Sequence, residues 1–243
     1  MRRSWYAPAL VGLVLSIAAT VHAQPPTVEE VGDADSFGRS QIYLGVANAG
    51  SVLLQEDCTP DPNLPPQDLP CIPLLPQPQL TTFRQDNLDE IRLPARATNS
   101  LICFAITPFI LASLGNDTPE NQSASLRARA VITLESAVLN DPELINPSTG
   151  LPFGGSVELN FGFFAESRSF EPGEEETKTI TQTRDCSGGL INRRALLEGF
   201  GLSEKQAREF FRQPIRLVFG VAGSASLLRD GSILYGTRLY GDR

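Results

Sequence analysis

The sequence predicts a mainly β protein, an antiparallel β-sandwich with a short helical insertion before a C-terminal hairpin. Three observations predict it. Apolar and polar residues alternate with a period of two in several separate segments, the pattern of strands with one dry and one wet face. Clusters of Gly, Pro and Asn punctuate those segments, which is turn chemistry. Helical signals occur in one stretch only, residues 192–212.

Residues 1–23 read as a signal peptide: Arg2 and Arg3 open it, an apolar stretch runs from Ala7 to Ala19, and Val21-His22-Ala23 forms a small-residue cleavage site. Cleavage after Ala23 makes the product periplasmic or secreted, in the style of a bacterial envelope protein. Residues 24–40 are polar and acidic with Pro25-Pro26, an extended arm. Within it Asp33 and Asp35 alternate ahead of Gly38, as in the start of a calcium loop. Phe37 stands where a third oxygen ligand belongs and Leu44 where the bidentate glutamate belongs, so these two aspartates are weak calcium candidates.

Residues 41–243 form a single sandwich domain of the size one hydrophobic core supports. A strand at 41–47, a turn at Asn48-Ala49-Gly50 and a return at 51–55 make a first hairpin. The proline-rich loop 59–79 follows, too poor in backbone donors to be a central strand. Four cysteines, Cys58, Cys71, Cys103 and Cys186, remain after cleavage. An even number in an exported chain argues for disulfides. Of the three connectivities, Cys58 with Cys71 and Cys103 with Cys186 is favoured, because the first pair brackets the proline loop and the second lies in or beside strands.

Ile91, Leu93, Ala95 and Ala97 alternate with Arg92, Pro94 and Arg96, an edge strand given the proline. Residues 101–106 are apolar on both faces and central. Leu126, Ala128, Ala130, Ile132 and Leu134 oppose Arg127, Arg129, Thr133 and Glu135. The loop 141–155 is long enough to hold turns of its own. Val157, Leu159, Phe161 and Phe163 repeat the alternation, and Thr177, Thr179, Thr181 and Thr183 mark a more exposed strand. In 192–212, Gly199 and Gly201 stop one helical piece and Ser203 with Gln206 caps a second, which Pro214 ends. Finally Asp230-Gly231 between two alternating runs signals a hairpin.

Composition excludes several functions. His22 is the one histidine and lies in the signal segment, which removes the usual proton carrier and metal ligand from the mature chain. Losing Arg2 and Arg3 leaves 18 basic against 28 acidic residues, a charge of -10, so nucleic acid is not a partner. Lys178 and Lys205 are the two lysines, leaving little scope for Schiff-base chemistry. No apolar run beyond residue 23 reaches the roughly 18 to 20 residues of a membrane helix. Serine-elbow, Walker and dinucleotide motifs are absent, no cofactor is implied, and Glu158 and Glu166 read as solvent-facing strand residues rather than a glycosidase pair. The acidic run from Glu171 to Glu176 reads as a polar strand edge before a docking edge.

The expectation is a disulfide-stapled module without catalytic activity that binds another envelope protein or a second copy of itself. Two alternatives stand beside it: a structural subunit whose arm, residues 24–40, pairs with a neighbour's sheet edge, and a hydrolase with a carboxylate-only site.

Overall fold

A computed structural model describes residues 42–60, 69–181 and 191–242, the side chains of 48–50, 102–108 and 160–163 excepted. Among the described residues nine strands build two sheets: β1 (Ile42–Gln55), β2 (Cys71–Pro73), β3 (Thr81–Leu93), β4 (Ser100–Gly115), β5 (Gln122–Ser136), β6 (Ser156–Phe170), β7 (Glu175–Thr181), β8 (Ile215–Ser226) and β9 (Leu228–Asp242). One sheet has the order β2-β1-β9-β4-β7, the other β3-β8-β5-β6. All pairings are antiparallel except β1 with β2. The inner faces meet in a core that includes Leu54, Ile110, Leu126, Ile132, Leu134, Leu217, Phe219 and Leu239. This is the mainly β, two-sheet architecture the alternation predicts.

The period-two reading holds best on β5. Ala124, Leu126, Ala128, Ala130, Ile132 and Leu134 are buried while Arg127 and Arg129 are exposed. β3 is an edge strand, as expected, but it ends at Leu93, so Pro94 follows the strand rather than lying within it. Residues 94–97 turn instead, with Arg96 at φ 60° and its N–H donating to Phe211 O at 3.1 Å. β4 lies between β9 and β7, and β7 is an edge whose Thr177, Thr179 and Thr181 are exposed.

Two expected turns are strand interior. Residues 42–55 do not fold back at Asn48-Ala49-Gly50: they run as one strand along β9, with the register slipping between Ala49 and Val52. A β-bulge absorbs the one extra residue and keeps Val52 and Leu54 facing the core. The C-terminal hairpin is likewise absent. β8 and β9 belong to different sheets, and Asp230-Gly231 sits inside β9, paired with β1 on one side and β4 on the other. The chain changes sheet at Leu227, φ 54°, where Leu227 and Leu228 are both buried. Burying two leucines at the corner outweighs the local turn preference of Asp-Gly. The proline-rich segment also contains one short strand, β2, on the sheet edge where missing N–H groups cost least.

Cys58 and Cys71 form a disulfide with Cα atoms 5.7 Å apart, fixing β2 beside the end of β1. Cys186 and the Cys103 side chain lie outside the described residues, as do residues 1–23, the arm 24–40, Asp33 and Asp35.

Helical segments close one end of the sandwich. A π-helical turn (Ala195–Gly199) precedes α1 (Glu204–Arg212). Ser203 Oγ accepts from Gln206 N at 3.3 Å and Ser203 N donates to Gln206 Oε1 at 2.9 Å, the reciprocal capping box read in the sequence. Leu202, Ala207, Phe210 and Phe211 are buried. Gln206 also reaches Asp141 at 3.0 Å, tying α1 to the ordered loop before β6. In that loop Asn146 O accepts from Gly150 N at 2.8 Å, a tight turn of its own. Among the described residues, no helix is long and apolar enough to cross a membrane.

Candidate functional site on the four-stranded sheet

The site begins with an irregularity in β3. Gln85 pairs with Val221 and Asp89 with Phe219, so Asp86, Asn87 and Leu88 all stand opposite Gly220. Asn87 adopts φ 59°, a left-handed conformation that asparagine tolerates better than most residues. The bulge leans over Gly220: a Cβ there would lie 2.7 Å from Gln85 O and 3.2 Å from Asp86 Cα. Glycine is therefore required by contact with backbone. Behind it, the buried Tyr235 of the opposite sheet donates its hydroxyl to Gly220 O at 2.7 Å. Burial pushes the Tyr235 phenol well above its ordinary range.

The bulge also places Asp86 to hold Arg84. Arg84 Nε donates to Asp86 Oδ2 at 2.8 Å, and Nη2 donates to Glu158 Oε2 at 2.7 Å. Asp86 first and Glu158 second raise the Arg84 guanidinium above its usual range. Because Glu158 is on β6, this bridge spans the sheet across β8 and β5, three strand spacings or about 14 Å. On the same outer face Val131 and Val218 are buried. Farther along the same face, Arg216 joins Glu90 at 2.6 Å and Glu135 at 2.9 Å, with Arg92 on Glu90 at 2.6 Å.

Beside the Arg84 strap is an open hollow of about 500 Å³ lined by Thr82, Phe83, Arg84, Arg129, Ala222, Gly223 and Ser224. Ladder register explains its shape: Arg84, Ala222 and Arg129 form one row, Thr82, Ser224 and Arg127 the next. Small residues on β8 make the floor between taller walls on β3 and β5. Gly223 is small for a reason of packing, since a Cβ there would stand 2.5 Å from the Phe83 ring. Arg127 and Arg129, two residues apart on one face of β5, have no ion-pair partner among the described residues. Hydroxyls continue the surface beyond them: Ser125 and Ser226 lie 2.9 Å apart, Ser123 and Ser167 3.2 Å apart. The chemistry on offer is two fixed, forked cations among hydroxyl donors, suited to carboxylate or phosphate oxygens.

The other sequence candidates do not converge. Glu158 is tied to Arg84 and Glu166 to Lys178. Eight residues of strand separate them, roughly 25 Å, where a two-acid glycosidase needs about 5 to 10 Å. Three carboxylates of the acidic run after β6 are paired: Arg168 binds Glu174 at 2.6 Å and Glu176 at 2.7 Å, and Glu175 pairs with Arg229. Since β6 and β7 edge different sheets, the Arg168–Glu176 and Glu166–Lys178 pairs lace the sandwich shut along one side. Among the described residues, no three His, Cys, Asp or Glu side chains gather as around a metal ion.

The arginine hollow escaped sequence reasoning because its residues come from three strands distant in the chain. One signal was present: Arg127 and Arg129 share the wet face of the clearest alternating strand. Neither family models nor curated proteins match this sequence.

Proposed function

We propose that the protein is an exported module without catalytic activity, acting in the periplasm or outside the cell, whose four-stranded sheet binds an anionic ligand in the Arg84–Arg129 hollow. The observation that carries this reading is the contrast between arginines on one face. Arg84, Arg92 and Arg216 are each held by carboxylates, whereas Arg127 and Arg129 stand exposed beside a small-residue floor without such partners. In a chain of net charge -8, two like charges left adjacent cost repulsion. An anion with carboxylate or phosphate groups relieves that repulsion and accepts from both guanidiniums, while Thr82 and Ser224 hydrogen-bond its neutral oxygens. The disulfide supports the oxidising compartment.

Calorimetric titration with a short polygalacturonate, a neutral glucan of equal length and an oligophosphate tests it. The reading expects at least one anionic probe to bind and the glucan to fail. Replacing Arg127 and Arg129 together by Glu should weaken binding at least about a hundredfold. Equal binding by the doubly substituted protein would remove the hollow as the site.

A further inference from the structure

The opposite sheet presents a different surface. Tyr43, Val46, Phe109, Leu111 and Leu234, 37 to 59 % exposed, all point outward from the five-stranded sheet, half of the ten large apolar side chains that are exposed among the described residues. Ladder register makes them neighbours: Phe109 lies beside Leu234, Leu111 beside Ser232, Val46 beside Arg238, and Tyr43 stacks edge-on against Tyr240 at 5.6 Å. Thr179 and Thr181 of β7 flank Leu111 and Phe109. A contiguous apolar face of this kind on a folded domain marks an interaction surface.

We propose that this face is covered by a second copy of the chain, packed sheet against sheet about a two-fold axis through Leu234. The face is self-complementary. Outward positions on β9 read Asp230, Ser232, Leu234, Gly236, Arg238, with the apolar residue in the middle, small residues on either side and opposite charges at the ends. Asp230 and Arg238 are both exposed and neither has an ion-pair partner among the described residues. An in-plane two-fold axis across the strand at Leu234 reverses strand direction, as isologous pairing requires. Each Arg238 then faces the partner's Asp230, and Leu234 and Phe109 stack on their own copies at the centre. Aligned sheets pack about 10 Å apart at roughly 30°, an offset that an arginine side chain can span.

Size sets the strength. From Asp230 to Arg238 is about 26 Å of strand, and β1, β9 and β4 span about 14 Å, while β7 pairs only with Phe109–Gly115 and finds no counterpart across the two-fold; this gives about 370 Å² per partner and about 750 Å² in all, the range of weak, transient contacts. A weak, concentration-dependent dimer is what such an area supports. Both arginine hollows would then face outward on opposite sides of the pair, since they lie on the other sheet. This inference does not depend on the anion reading.

Sedimentation equilibrium of the mature oxidised protein, from about 1 to about 100 µM, should give a reversible monomer–dimer isotherm. Leu234→Asp, at an exposed position, should raise the dissociation constant about a hundredfold with an unchanged far-UV spectrum and melting temperature at dilution. Arg238→Asp alone and Asp230→Arg alone should each weaken association about tenfold or more, while an equimolar mixture of the two, in which both cross-pairs are restored, should associate like the wild type. A wild-type monomer throughout that range would overturn the proposal, and so would a dimer indifferent to Leu234→Asp. A mixture no tighter than its components would overturn the two-fold register.

Discussion

Replacing Tyr235 by Phe tests the joint between the sheets with little change of shape. The ring stays, and what disappears is the hydroxyl that donates across the core to Gly220 O at 2.7 Å. A neutral buried hydrogen bond contributes about 1 kcal/mol, and an acceptor left unpaired adds to the loss, so the cost should be about 1 to 2 kcal/mol. For a domain of this size that lowers the melting temperature by roughly 2 to 8 °C. Gly220→Ala attacks the same carbonyl from outside: its Cβ, 2.7 Å from Gln85 O and 3.1 Å from Asp86 Oδ1, must push the β3 bulge away. Overpacking of this kind costs about 1 to 3 kcal/mol. Because both changes act on the Gly220 peptide, their effects should fall short of additive by at least about 0.5 kcal/mol. Urea melts of the wild type, two single variants and the double variant measure the cycle. Additivity to within about 0.3 kcal/mol, or a Tyr235→Phe variant as stable as the wild type, would refute the claim that the bulge and the tyrosine share one constraint.

Three further outcomes follow from the same structure. Removing the Cys58–Cys71 disulfide by paired Ser substitutions frees a loop closed over a sequence separation of 13, worth about 3 kcal/mol in the chain-entropy model, and should lower the melting temperature by roughly 6 to 12 °C by calorimetry. Ser203→Ala, which removes the side-chain half of the α1 capping box, should cost about 1 kcal/mol in urea melts. Alkaline stability should depend on Tyr235: with its folded pKa raised by burial above the ordinary 10.0, the folded state keeps a proton that the unfolded chain releases. Its contribution is whole below pH 10 and declines as pH rises from there. Chemical denaturation at a series of pH values should therefore show a shallower alkaline decline in Tyr235→Phe than in the wild type.

Strands whose one face is dry were legible because burial selects residues with a strict period. β5 is the clearest, and its exposed arginines were visible as the wet half of that alternation. The α1 cap was equally legible, since a capping box is a purely local bargain between Ser203 and Gln206. What failed depended on partners far away in the chain. Asn48-Ala49-Gly50 and Asp230-Gly231 have turn composition, but Asn48 and Ala49 pair with β9 and Asp230-Gly231 lies between β1 and β4, so ladder partners keep both inside strands. The true corner falls on Leu227, whose side chain signals nothing of the kind and whose positive φ is sustained by burial. The hollow was invisible for a related reason. Ala222 and Ser224 look like ordinary small residues until β3 and β5 are placed on either side of them.

The proposed function stands or falls with the outer face of the four-stranded sheet as a ligand surface. Amide chemical-shift mapping of the isotopically labelled protein during titration with the tightest anionic probe tests it most directly. Saturable shifts should gather at Thr82, Arg84, Arg127, Arg129 and Ala222 to Ser224 and leave Leu234 and Phe109 still. Shifts centred elsewhere, or a uniform drift that never saturates, would contradict it.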